Sequence, residues 1–134
     1  MATHLHYDCF DIVHTVGCAL PGVEKVIRYD GAPVLKVNGS FMAGIASHES
    51  AEPGTLVVRC QVDERERLIE DAPEIYYLTD YYRKYPLVLA RLAHVGPDAL
   101  RDLLSVSRRL TMEKSGRLHS RQRQKLEDFE GGAR

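Results

Sequence analysis

Between residues 34 and 47 the chain has little freedom in what it can build. Asn38-Gly39 lies between two β-type runs, Val34 to Val37 and Ser40 to Ser47. That pair supplies the two positive-φ residues that a two-residue type I′ hairpin turn requires. Upstream, Pro21-Gly22 within Leu20-Pro21-Gly22-Val23 stops a helical pattern. The segment LPGVEKVIRYDGAPVLKVNGSFMAGI therefore closes a helix and opens a sheet. Val26 to Tyr29 is expected as its first strand and Asp30-Gly31 as a turn.

The same logic extends in both directions. Phe10, Val13, Gly17 and Leu20 recur at spacings of three and four, which predicts a helix from about His4 to Ala19 with Asp8, Asp11 and His14 facing water. His48 to Gly54 is polar with Pro and Gly, so a loop is expected. Thr55 to Val62 alternates: Leu56, Val58, Cys60 and Val62 share one face, Val57, Arg59 and Gln61 the other. This predicts a strand with one buried side and one partly wet side. Asp63-Glu64-Arg65-Glu66 has the form of a capping box at a helix start. That helix should end before Pro73. Residues 76–85, YYLTDYYRKY, form a tyrosine-dense connection, and LVLARLA after Pro86 reads as a buried strand with Arg91 as its one charge. Pro97 at a first helical position opens the last helix. Leu100, Leu103, Leu104, Ser107 and Leu110 make its core stripe, with an end near Leu110.

At 134 residues and 44% hydrophobic composition the chain suits one domain plus a tail. No run of about 18 apolar residues exists for a membrane span. The start MATHLHYDCF has neither the basic nor the apolar region of a signal peptide. A soluble, cytoplasmic protein without membrane association is expected. Cys9, Cys18 and Cys60 lack C-x-x-C spacing, so they read as reduced packing residues, and neither metal nor cofactor is expected. Charge is unevenly placed. Residues 1–107 carry 10 Lys+Arg and 15 Asp+Glu, residues 108–125 carry 7 and 1, and residues 126–134 carry 1 and 3. An acidic body followed by a basic segment has the form of a polyanion-binding tail, and equally of a solvated one.

In its order of elements the chain resembles the MmcQ/YjbR family over residues 5 to about 110. The resemblance rests on Leu20-Pro21-Gly22-Val23, the hairpin Leu35-Lys36-Val37-Asn38-Gly39-Ser40-Phe41 and Asp63-Glu64-Arg65-Glu66-Arg67. It rests also on Tyr82 with Tyr85-Pro86, and on Leu100-Arg101-Asp102-Leu103-Leu104. It implies an α+β double-wing domain over residues 1–110, a small antiparallel sheet with hairpins packed against three helices. Residues 111–134 lie outside the resemblance and are expected, from their charge and their loss of apolar periodicity, to be a basic, mobile tail. It also implies DNA binding, a role inferred for the family from fold likeness. Members of the family often carry a Trp near the buried strand and an aromatic late in the final helix. This chain has no Trp, with Leu87 and Val88 in the strand and Arg108 after Ser107.

Phosphate neutralisation needs cations on one surface. One candidate set is Lys36 and Arg59 on neighbouring β segments, with Lys25 and Arg28. The denser set is Arg108, Arg109, Lys114, Arg117, Arg121, Arg123 and Lys125. Tyr81, Tyr82, Arg83, Lys84 and Tyr85 interleave rings with cations. Such a run suits base stacking, although tyrosines before a buried strand also serve as core with a hydroxyl at the rim. For catalysis, His4, His6, His14, His48, His94 and His119 form no i,i+4 metal pair. Ser105, Ser107 and Cys60 lack an activating neighbour in sequence. His48 or His94 would need a carboxylate brought close by folding. The expectation is a non-catalytic domain that binds DNA mainly through phosphate. The alternative is a protein-interaction or small-ligand module using a concave sheet face and the tyrosine-rich link, with no nucleic-acid role.

Overall fold

Asn38 and Gly39 take φ values of 54° and 77°, the left-handed pair that the hairpin turn demands. In the computed structural model, which describes residues 9–115, that turn joins two central strands of one sheet. The elements are α1 (Phe10–Gly17), β1 (Val23–Ile27), β2 (Pro33–Val37), β3 (Ser40–Ile45), β4 (Thr55–Arg59), α2 (Val62–Asp71), β5 (Tyr76–Tyr77), β6 (Leu87–Arg91) and α3 (Pro97–Ser115). The strands form a six-stranded sheet in the order β1-β2-β3-β4-β6-β5, antiparallel throughout. The architecture is the expected α+β one, an antiparallel sheet with three helices.

The two faces of the sheet bury different residues. Leu35, Val37, Met42, Ala43, Leu56, Val58, Val88 and Ala90 cluster with Phe10 and Val13 of α1 and Leu100, Leu103 and Leu104 of α3. A bulge between Leu35 and Lys36 pairs Leu35 with Ala43 but Lys36 with Phe41. The extra residue lets the adjacent Met42 and Ala43 both join this cluster while Phe41 turns to the opposite face. On that second face Val34, Phe41, Val57, Leu87 and Leu89 pack beneath Tyr82.

Several boundaries differ from expectation for local physical reasons. The N-terminal part of the expected first helix, residues 4–8, lies outside the described residues, and α1 ends at Gly17. β1 starts at Val23, earlier than expected, because the chain leaves the Gly22 turn directly into full pairing with β2, Val23 opposite Val37. β3 stops at Ile45. β4 is buried on both sides, so its expected wet side is corrected: the tyrosine-rich link covers the face carrying Val57. α2 begins at Val62 with Gln61 as N-cap and no side-chain cap bond. The expected capping role of Asp63 and Glu66 does not form, and Glu64 instead accepts from Arg67. Tyr76 and Tyr77, expected as connection, form a short edge strand opposite Ala90 and Leu89. α3 continues past Leu110 to Ser115. Thr111 is buried, and its Oγ1 donates to the Ser107 carbonyl at 2.7 Å.

Candidate nucleic-acid interface

The link from Leu78 to Pro86 is pinned from below and from the side. Arg65, on α2 and buried, donates from Nη1 to the carbonyls of Tyr85 at 3.0 Å, Leu87 at 3.3 Å and Arg83 at 3.5 Å. Nη1 carries two N–H groups, so the Tyr85 and Leu87 carbonyls take the two shorter bonds and the Arg83 carbonyl shares one of them. From the other side the loop after β3 reaches across. The His48 backbone N–H donates to the Tyr82 hydroxyl at 3.1 Å, and the hydroxyls of Ser50 and Thr79 bond at 2.9 Å. Burial pushes the Tyr82 phenol up, so it stays protonated at neutral pH. The next turn is tied by Tyr77, whose hydroxyl accepts the Glu52 N–H at 2.8 Å and bonds Thr55 Oγ1 at 2.7 Å. Arg91 lies over the Tyr77 ring and grips both Glu52 carboxylate oxygens at 2.9 Å. That bond holds the Glu52 carboxyl below its ordinary range.

These ties present a cluster of rings with cations beside it. The His48 imidazole stacks on Tyr81 with centroids 3.6 Å apart and planes within 8°. Tyr82 stands edge-on to Tyr81 at 4.9 Å. The Lys84 ammonium lies 5.8 Å from the Tyr81 centroid and 5.7 Å from that of Tyr85, within cation–π range. Arg83 is exposed, with Asp80 at 3.5 Å. Of the tyrosines in the link, Tyr82 serves the core and Tyr81 and Tyr85 only partly. His48 belongs to this cluster although nothing in the sequence signals it, since only the pairing of β3 with β4 and β4 with β6 brings its loop to the link.

The other expected contact residues fall differently. Lys36 is half-buried, opposite Glu24 of β1 and Phe41 of β3. Arg59, expected to project from a wet face, is 3% exposed, so it is not available to a phosphate beside Lys36. Arg28 is buried beside Asp30 at 3.3 Å, and Lys25, opposite Leu35, lies on the helix side of the sheet. Arg108 donates from Nε to the Pro21 carbonyl at 2.6 Å, and Arg109 is exposed on α3. Lys114 is on the last turn of α3. Arg117, Arg121, Arg123 and Lys125 lie outside the described residues.

Two clefts remain. One, of about 230 Å³, lies between α2 and α3 and is lined mainly by Cys60, Leu68, Tyr76, Leu103 and Val106, with Glu64 and Asp102. Burial pushes the Cys60 thiol up to about 12, which removes it as a nucleophile at neutral pH. The other, of about 310 Å³, holds His94 with Glu52 and Arg91. Its carboxylate is already spent on Arg91. His48 Nδ1 accepts the Ser50 N–H at 3.1 Å, with no carboxylate in that arrangement. Among the described residues no group of three or more His, Cys, Asp or Glu could hold a metal, and no helix is long and apolar enough to cross a membrane.

Comparison with known proteins adds two findings. The YjbR family model matches residues 18–110. The Deinococcus radiodurans protein DR2400, a DUF419 domain, superposes with a TM-score of 0.63 at 21% identity, covering 85% of this chain and 84% of that one. At that identity the likeness is one of fold. Among curated proteins nothing matches.

Proposed function

The chain belongs to the YjbR family, and from that premise we propose that it is a non-catalytic DNA-binding domain acting mainly through phosphate contacts. The observation that carries this reading is the exposed Arg83-Lys84 pair, mounted on a link held by Arg65 and flanked by Tyr81 and Tyr85. Cations set beside rings on a pinned segment suit a nucleic-acid strand better than they suit a core. Arg109 on α3 and the basic residues from 114 to 125 add charge to the same chain. The body contributes few further contacts. Arg28 and Arg91 are taken up by Asp30 and Glu52, Arg59 is withdrawn from solvent, and Arg67 and Arg101, exposed beside a carboxylate as Arg83 is, lie on α2 and α3 and not on the link. Binding is therefore weak and salt-sensitive in this reading.

The test is fluorescence anisotropy of a labelled duplex with the full-length protein across a salt series. Affinity should fall with a log-log slope of about −0.9 per phosphate contact, and the double variant R83A/K84A should flatten it by roughly 2 units. Absence of binding at low salt, or binding indifferent to salt, rejects the reading. A small-ligand or protein-interaction role is the second reading. It is favoured by the apolar cleft between α2 and α3, whose rim residue Val106 is 42% exposed. Neither sheet face is open for that role, since one is covered by Tyr82 and the link and the other by α1 and α3.

A further inference from the structure

The His48–Tyr81 stack is built like a presented surface. Hydrogen bonds hold the His48 ring and tie its loop to the link that carries Tyr81: Ser50 N–H to His48 Nδ1, His48 N–H to the Tyr82 hydroxyl, and Ser50 to Thr79 across the gap between loop and link. Both rings nevertheless keep part of their surface in water, while Tyr82 beside them is fully buried. A His48 ring fixed by Ser50 and a Tyr81 ring packed between His48, Tyr82 and Lys84, both left partly at the surface, already carry much of the ordering cost that a stacking ligand would otherwise have to meet. The cations next to them, Lys84 and Arg83, supply charge of the sign a phosphate needs. The carboxylates nearby are Asp80, paired with Arg83, and Glu49, next to His48 in sequence.

We infer that this site takes single-stranded nucleic acid in preference to duplex, an unpaired base extending the His48–Tyr81 stack while Lys84 and Arg83 meet the adjoining phosphates. The inference rests on the nucleic-acid reading above and deepens it. A duplex hides its base faces within its own stack and can use only the cations. A single strand can use rings and cations together. Every base has a π-face, so little sequence preference follows.

The experiment uses the full-length protein with labelled oligothymidylate and oligouridylate of about 15 nucleotides, a length within single-strand site sizes, and a duplex of equal length. Anisotropy is read at fixed salt. Tyrosine emission is read alongside, since the chain has no Trp to mask it. The expected result is tighter binding of the single strands than of the duplex, with tyrosine quenching that the duplex does not cause. His48→Ala should cost roughly tenfold on single strands, the loss of one stacked base, and bring them to the duplex level. His48→Phe, which keeps a ring, should preserve the preference, and Tyr81→Phe likewise. Thermal unfolding of each variant separates loss of the stack from loss of the fold, and the two ring-keeping variants carry the test should His48→Ala unfold. Oligothymidylate against oligouridylate distinguishes DNA from RNA as the source of the strand. Equal or tighter duplex binding overturns this inference and leaves the phosphate reading standing. Failure of all three probes to bind overturns both.

Discussion

Arg65 shows how one side chain can be read in two ways until its surroundings are known. In sequence it belongs to a charged run, DERER, that suits a solvated helix face. In the fold its guanidinium is buried and holds three carbonyls of the link and β6. Arg65→Met should therefore destabilise the protein by about 1–3 kcal/mol, the cost of leaving buried carbonyls without their donor. Urea denaturation gives the size, and faster amide exchange in residues 81–87 would place the loss at the link. Cys60 makes a second residue-scale case. Its thiol is raised from 9.0 to about 12 by burial, with Glu64 adding to the rise. Above pH 9 the unfolded chain gives up this proton and the folded chain keeps it. Stability should hold below that point and fall as pH rises toward 12. Cys60→Ala should flatten that fall in denaturation curves taken across this range. At pH 8 the native protein should leave Cys60 unalkylated, as peptide mass mapping would show.

At the scale of elements, β-strand alternation and helix periodicity placed most segments, and the misplacements share a cause. Alternation in β4 shows which residues share a side: Leu56 and Val58 join one cluster, and Val57 and Arg59 stand opposite Leu89 and Leu87 of the other. It does not show what lies over each side, and both are covered here. Gly44 marks how tightly β3 and β2 meet on the second face. A Cβ there would lie 2.5 Å from Val34 Cγ1 and 3.3 Å from Phe41 Cε1. Gly44→Ala should cost about 1–3 kcal/mol through overpacking, visible as a lower urea midpoint with an unchanged slope. The end of α3 is the other instance. Apolar periodicity fades after Leu110, yet Thr111 is buried with its hydroxyl satisfied inside the helix. A chain ending at Leu110 should melt below one ending at Ser115, because it loses Thr111 and the final turn together.

The whole molecule is a sheet with helices on one side and a pinned aromatic link on the other, followed by the basic residues 114–125. If the tail cations meet phosphate, a chain ending at Ser115 loses Arg117, Arg121, Arg123 and Lys125. Its salt slope on duplex DNA should then be shallower by roughly 3 to 4 units, and anisotropy over a salt series measures this directly. The sequence by itself determined the α+β architecture, the Asn38-Gly39 hairpin, the helix stop before Pro73, the buried β6 strand and the uneven charge. Each depends on local dihedral preference, on hydrophobic period or on simple counting, which act between near neighbours. Only the tertiary structure decided that Arg59 and Arg65 are buried, that His48 stacks on Tyr81, and that the second sheet face is covered. These depend on segments far apart in the chain meeting across the sheet, and no local pattern encodes which of them will meet.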